Sequence, residues 1–315
     1  MQGKKGGVGA LTFNRKGKLI GYSELLRGTS MNCGGGKTPW NTWVSCEEQR
    51  RTRDGQIYEV DPFGEFTHET RLGGSGGGSF ESFAYDVRDR DRPRFYVTED
   101  HELGALRRFT PDRPDWDNPS SMLRRSGTME YLVLSIGRCS WEPCEKGEPR
   151  GTYEWSTSKR EGERSARRFF PGSEGIDVSG GEMFFISKQE RRMIALDLDG
   201  NSWRSTSTEN GRFDGKPDQI KRLAGDRDLL FMTEDGGEDA GVFSRDREGR
   251  MFTILESPLY EEETTGLAFS PDGMHMYMAY QKNGLVFDVW RRDGLPFDAR
   301  VASLKYHKKV AGGFA

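Results

Sequence analysis

No run of about eighteen apolar residues occurs in the 315-residue chain, so no membrane-spanning helix is expected. Histidine is scarce. The four (His68, His101, His275, His307) show no HxH or HxxxH spacing, which argues against a histidine-ligated zinc hydrolase. Four cysteines are too few for a disulfide framework. Cys139 and Cys144, in CSWEPC, are close enough to bridge within a loop, while Cys33 and Cys46 flank a glycine-rich stretch. No GxSxG is present, so a serine nucleophile elbow is not supported. GGSGGGS (73–79) lacks the Lys-Ser/Thr ending of a phosphate loop and reads as a flexible linker. The start, MQGKKGGVGALTF, is basic but has no apolar stretch long enough for a secretory signal. A formal net charge of −3 gives no reason to expect nucleic acid or a membrane surface as partner.

Glycine and aromatics, in contrast, are plentiful: 41 glycines and 11% Phe, Trp and Tyr. Glycine makes turns and aromatics fill cores, a mixture that suits turn-rich β structure. A short apolar strand, an Asp/Gly turn and a second apolar strand recur at 11–24, 83–100, 175–188, 220–235 and 267–281. A further unit, 42–64, is entered at its second strand. Several units continue into a third strand, as in RMIALDLDG (192–200) and GLVFDVWRRDG (284–294). Such units at intervals of roughly 40–50 residues predict an all-β fold, a single β-propeller spanning 1–315 with about six blades. Residues 112–172 and 201–217 interrupt the repeats and read as loops inserted between blades. Within the first of these, ERSARRFF (163–170) allows a turn or two of helix.

Acids recur at matching points of these units. Glu81, Glu174, Asp218 and Glu263 precede first strands; Glu47, Glu48, Glu99, Asp100, Glu234 and Asp235 follow second strands. In a propeller both places gather at one mouth of the central channel. Carboxylates crowded there repel one another unless cations neutralise them. Carboxylate oxygens suit calcium, magnesium or manganese, and a thiolate such as Cys46 suits iron or zinc. A buried, inert thiol and solvated turn acids are the alternative reading.

The stretch NCGGGKTPWNTWVSCEE (32–48) resembles the N-C-A-G-G-x-T-P-W-G-T-W-x-T-C-E-E signature of PhoX-type alkaline phosphatases. GSFESFAYD with FYVTED, GSEGIDVSGGEMFFISK, PDQIKRL with LLFMTEDG, and GLAFSPDGMHMYMAYQ resemble later segments of that family in the same order. The resemblance implies a six-bladed propeller whose channel holds iron and calcium, and hydrolysis of phosphomonoesters in the periplasm or outside the cell; a monomer is expected. It implies Cys46 as iron-bound thiolate and Glu81 and Glu174 as further ligands. Glu47, Glu48, Glu99, Asp218 and Glu263 are expected to join the metal shell, and Lys37 and Arg168 are the cations expected to serve catalysis. Three positions depart from the family: Gly172 stands for an arginine that would bind phosphate, Phe80 for a histidine and Asn41 for a glycine. Two other functions compete: a calcium-dependent propeller lactonase or phosphotriesterase, and a non-catalytic propeller that binds a protein or glycan.

Overall fold

A computed structural model describes residues 6–14, 17–49, 55–137, 148–209, 213–223, 228–257, 259–260 and 262–298. Cys139 and Cys144 lie outside the described residues.

The chain opens with a hairpin, β1 (Gly6–Phe13) and β2 (Leu19–Thr29), which forms its own sheet. Blades follow. The first is β3 (Asn32–Lys37), β4 (Trp43–Glu47), β5 (Ile57–Val60) and β6 (Thr67–Glu69). The second is β7 (Phe80–Asp86), β8 (Arg94–Glu99), β9 (Arg107–Pro111) and β10 (Gly127–Ile136). After β11 (Arg150–Ser156) and α1 (Lys159–Phe169) comes the third: β12 (Ser173–Ser179), β13 (Glu182–Ser187), β14 (Arg192–Asp197) and β15 (Ser202–Ser207). The fourth is β16 (Lys216–Leu223), β17 (Leu229–Asp235), β18 (Gly241–Arg245) and β19 (Met251–Glu256). The fifth is β20 (Thr264–Phe269), β21 (His275–Tyr280) and β22 (Leu285–Trp290). All pairings are antiparallel, and the first strands β3, β7, β12, β16 and β20 contact one another in turn. This is the expected all-β propeller. Five of the six expected units are blades of three or four strands, and unit 11–24 is the separate hairpin.

Both expected insertions contain blade. β10 pairs with β9, and β11 pairs with both β10 and β15, joining the second and third blades into one nine-stranded sheet. β15 lies within 201–217 and is the outer strand of the third blade. Mixed polar and aromatic sequence hid them: outer strands are half-exposed and carry weak alternation. The helix expected at 163–170 is present as the C-terminal part of α1.

Apolar clusters fill the seams between successive blades. Phe83 stacks on Phe95 at 6.2 Å, and the Trp40 ring meets Phe95 edge-on at 5.8 Å, in the seam of the first and second blades. Phe170 and Phe185 pack in the next seam, and Phe231 and Met278 in the last. Aromatics dominate because each buries a large apolar area with few rotatable bonds. The SGG turn joins β12 to β13 with Gly180 and Gly181 at φ +59° and +84°, as a tight two-residue hairpin requires. The three glycines of NCGGGK lie in β3 itself, not in a loop. A Cβ on Gly36 would lie 2.2 Å from the Phe83 carbonyl oxygen, so glycine lets β3 run close against β7.

GGSGGGS is not a free linker. The buried Arg107 guanidinium donates to the carbonyls of Gly73 and Gly77 and stands over the Phe80 ring at 4.5 Å.

Candidate metal centre

One irregularity repeats in every blade. Two residues of the first strand oppose one residue of the second, forming a β-bulge at Cys33–Gly34, Glu81–Ser82, Glu174–Gly175, Asp218–Gln219 and Gly266–Leu267. A bulge turns a side chain that regular alternation would send elsewhere. In four successive blades the first bulge residue is therefore Cys33, Glu81, Glu174 or Asp218, and these converge. Cys33 Sγ donates to Glu81 Oε1 at 3.1 Å. Ligand atoms of Cys33, Glu48 and Glu81 lie within 4.8 Å of one another, as do those of Glu81, Glu174 and Asp218. Glu81 belongs to both groups.

The second strands supply the other wall through a second repeat. SCEE (45–48), VTED (97–100) and MTED (232–235) place equivalent residues at equivalent points. The residue opposite each bulge is Cys46, Thr98 or Thr233. The two threonine hydroxyls accept from the bulge amides of Ser82 (3.0 Å) and Gln219 (2.9 Å). The next residue is a structural glutamate. Glu47 accepts from the amides of Ser30 (2.6 Å) and Gln56 (2.8 Å), Glu234 from those of Gly215 (2.7 Å) and Gly241 (3.2 Å), and Glu99 pairs with Arg107 at 3.5 Å. The last residue of each set is Glu48, Asp100 or Asp235. Glu48 and Asp235 line the cavity, and Asp100 acts on Glu81 and Glu174 through its charge.

The cavity measures about 440 Å³ and is lined by Met31, Asn32, Cys33, Gln281, the acids Glu48, Glu81, Glu174, Asp218, Asp235 and Glu263, and Lys188. Gln219 ties its floor together. Its amide nitrogen donates to Glu81 Oε1 and Asp218 Oδ1, both at 3.1 Å, and its oxygen accepts from the Ser82 hydroxyl at 3.0 Å.

The expected site residues divide. Glu48, Glu81, Glu174, Asp218 and Glu263 line this cavity. Cys46 does not: its side chain is fully buried in the apolar seam with Val44, Ile57 and Phe80, and Cys33 is the thiol at the cluster. Glu47 and Glu99 are taken up by backbone amides and Arg107. Lys37, at the end of β3, lines an adjoining cavity of about 570 Å³ with Tyr85 and Lys221, which shares Asn32, Cys33 and Gln281 with the acidic one. Arg168 is exposed on α1 over the Phe169 ring. Gly172 stands at φ +61°, where a Cβ would come within 2.9 Å of Asp100 Oδ1, so a larger residue is strained there. Directly across the strand pair is the cation that the sequence reading missed. The Lys188 amide donates to the Gly172 carbonyl at 2.8 Å, and its ammonium enters the cluster. Aligning FISK with SCEE, VTED and MTED would have exposed it, as the lysine in an otherwise acidic column.

Electrostatics follow from crowding. Burial, then the charges of Asp218 and Glu48, push the Glu81 carboxyl well above the usual range. Burial, then Glu81 and Asp218, do the same to Glu174. Glu263 is pushed up to about 7, by burial first and then by Asp218 and Asp235. Burial and the charges of Glu81 and Glu48 raise the Cys33 thiol. Glu81 Oε2 is buried and makes no hydrogen bond. Several buried carboxylates, with Glu81 Oε2 and Glu174 Oε1 outside any hydrogen bond, together with one thiol, form a donor set that fits bound cations.

Residues 21–173 match the sequence model of the family described as alkaline phosphatase PhoX. No curated protein matches the chain in sequence. Among solved structures, PhoX of Pseudomonas fluorescens in complex with vanadate, a transition-state analogue, superposes with a TM-score of 0.66 at 15% identity, over 88% of this chain and 72% of that one. A chain of a nidogen/laminin complex superposes with a TM-score of 0.56 at 12% identity, over 94% and 90%. At such identities both likenesses concern the fold.

Proposed function

We propose that this chain, whose residues 21–173 carry the PhoX family sequence, is a metal-dependent phosphomonoester hydrolase. One observation carries the reading. Four bulges in successive blades turn Cys33, Glu81, Glu174 and Asp218 into one cavity, where Glu81 Oε2 makes no hydrogen bond. The Cys33 side of the cluster, with Glu48 and Glu81, mixes sulfur and oxygen donors and would hold iron; the all-carboxylate side, with Glu81, Glu174, Asp218 and Glu263, would hold calcium. Bound there, such ions supply positive charge that neutralises the non-bridging oxygens of a phosphate ester.

The chain's own residues prepare the site. Gln219 fixes Glu81 and Asp218 in one orientation from the second bulge position. Cys33 is aimed by its hydrogen bond to Glu81. The threonines Thr98 and Thr233 hold the bulges that present the acids. The cavity suits a small phosphorylated molecule. A periplasmic or secreted location and a monomeric state complete the proposal.

The decisive test is direct. Iron and calcium are measured in the purified chain, and hydrolysis of a chromogenic phosphomonoester is followed with and without chelator. Bound iron and chelator-sensitive turnover are expected. Metal-replete protein without turnover would sink the phosphatase reading.

A further inference from the structure

Lys188 occupies the position after β13 that is Glu48, Asp100 or Asp235 in the first, second and fourth blades. Its ammonium nitrogen lies 3.1 Å from Glu174 Oε1, 3.2 Å from Asp218 Oδ2 and 2.8 Å from Asp235 Oδ2. These carboxylates come from two blades and three strands. Among the described residues that line the cavity, Lys188 is the one cation, against six acids. Its backbone is pinned: its amide donates to Gly172, and the neighbouring Ser187 hydroxyl donates to the Pro171 carbonyl at 2.8 Å. The side chain is almost wholly enclosed, 11% exposed.

An ammonium ion-paired within 3.2 Å of three carboxylate oxygens occupies the place of a small cation bound by the same oxygens. Two of the three acids, Glu174 and Asp218, also belong to the metal-competent group with Glu81. A divalent ion on the same three oxygens would take the ammonium's own place, and there the two exclude each other.

We infer that Lys188 is a built-in counter-cation that fills one position of the acidic cluster, so that this chain holds one metal ion fewer than its carboxylates could bind. Exogenous ions are left the positions around Glu81 that the ammonium does not fill. The inference concerns the same cavity as the proposed function, but the geometry of Lys188 carries it without the reaction.

The test compares the full chain with Lys188→Met, which keeps length and removes charge, and Lys188→Arg, which keeps charge. Each is stripped with chelator and equilibrated with calcium chloride; bound calcium is counted by mass spectrometry and melting is followed by calorimetry. The methionine variant is expected to bind one more calcium per chain than the parent, and the arginine variant the parent number. In chelator the methionine variant melts lower than the parent and gains more on adding calcium. A folded methionine variant with the parent's calcium count, or fewer, overturns the inference. If that variant folds in neither condition, Lys188→Met with Asp218→Asn removes one charge of each sign; recovered folding supports the counter-cation role, and continued failure overturns it. A parent chain that takes up neither iron nor calcium, beside a methionine variant that takes up calcium, would defeat the proposed function and leave Lys188 as inferred. A parent that loads metal and hydrolyses phosphomonoesters, beside an unchanged calcium count in the variant, defeats only the inference.

Discussion

Cys33 Sγ lies 3.1 Å from Glu81 Oε1, 48 residues away in sequence and on the neighbouring blade. The other described cysteine that ends the glycine-rich signature, Cys46, is sealed in an apolar seam. The two thiols therefore allow the proposed metal binding to be tested apart from packing. Cys33→Ser is expected to lose most bound iron while melting near the parent temperature, because a hydroxyl is a poor ligand for a softer ion. Cys46→Ser is expected to keep its iron and lose about 1–3 kcal/mol of stability, since it buries a hydroxyl among apolar side chains. Metal analysis and denaturant melts of both variants decide; iron lost from the Cys46 variant alone would reverse the assignment.

The repeat of strands and turns was legible in the sequence because alternation and Asp/Gly turns are local. So were Glu81, Glu174 and Asp218, as acids at the entries of first strands. What composition could not show is the bulge, a difference of one residue in pairing between strands. It decides that Cys33 turns into the channel while Cys46 packs away. The acids of SCEE, VTED and MTED looked alike in sequence, yet their third positions serve the backbone or Arg107, while the fourth, as Glu48 and Asp235, lines the cavity. β10 and β15 were hidden because outer strands bury little and alternate weakly.

Gln219 touches two acids of the cluster without lying among the grouped donors. Groups that orient metal ligands typically change affinity about 10–100-fold when removed. Gln219→Leu should weaken metal binding within that range and leave melting in chelator nearly unchanged. Titration calorimetry with calcium reads the affinity, and an unaltered dissociation constant would show that the carboxamide orients nothing.

Glu59 is fully buried in the first blade and accepts from Trp40 Nε1 (2.6 Å), the Thr42 hydroxyl (2.7 Å) and the Ser120 hydroxyl (2.8 Å). It ties TPWNT to the short 3-10 helix Pro119–Leu123, remote from the cavity lining. Glu59→Ala strands one buried and two half-buried donors and should cost roughly 2 kcal/mol, at about 1–3 kcal/mol for the buried group and less for those that water can reach. Metal content per folded chain should not change. A variant that melts with the parent would show that water replaces the carboxylate at no cost.

Asp228 carries the acid-stability prediction, away from the cavity lining. Arg222 grips it with Nε at 2.5 Å from Oδ1 and Nη2 at 2.7 Å from Oδ2, and Arg247 donates to Oδ2. The hydrogen bonds from Arg222, acting against burial, hold its carboxyl below the ordinary aspartate value of 3.8. A carboxyl depressed by folding binds its proton more readily in the unfolded chain. Its contribution is therefore complete above about pH 3.8 and is lost as pH falls through the lower folded value. Asp228→Asn removes the charge while suiting the left-handed backbone at φ +51°, which asparagine tolerates. The variant should be less stable than the parent at pH 7 by roughly 2 kcal/mol, the scale of hydrogen bonds to a charged group. The gap should close as pH drops below 3.8. Melting curves from pH 7 to the acid limit of folding test this, and a gap that stays constant across that range would rule out the Arg222–Asp228 pair as its source.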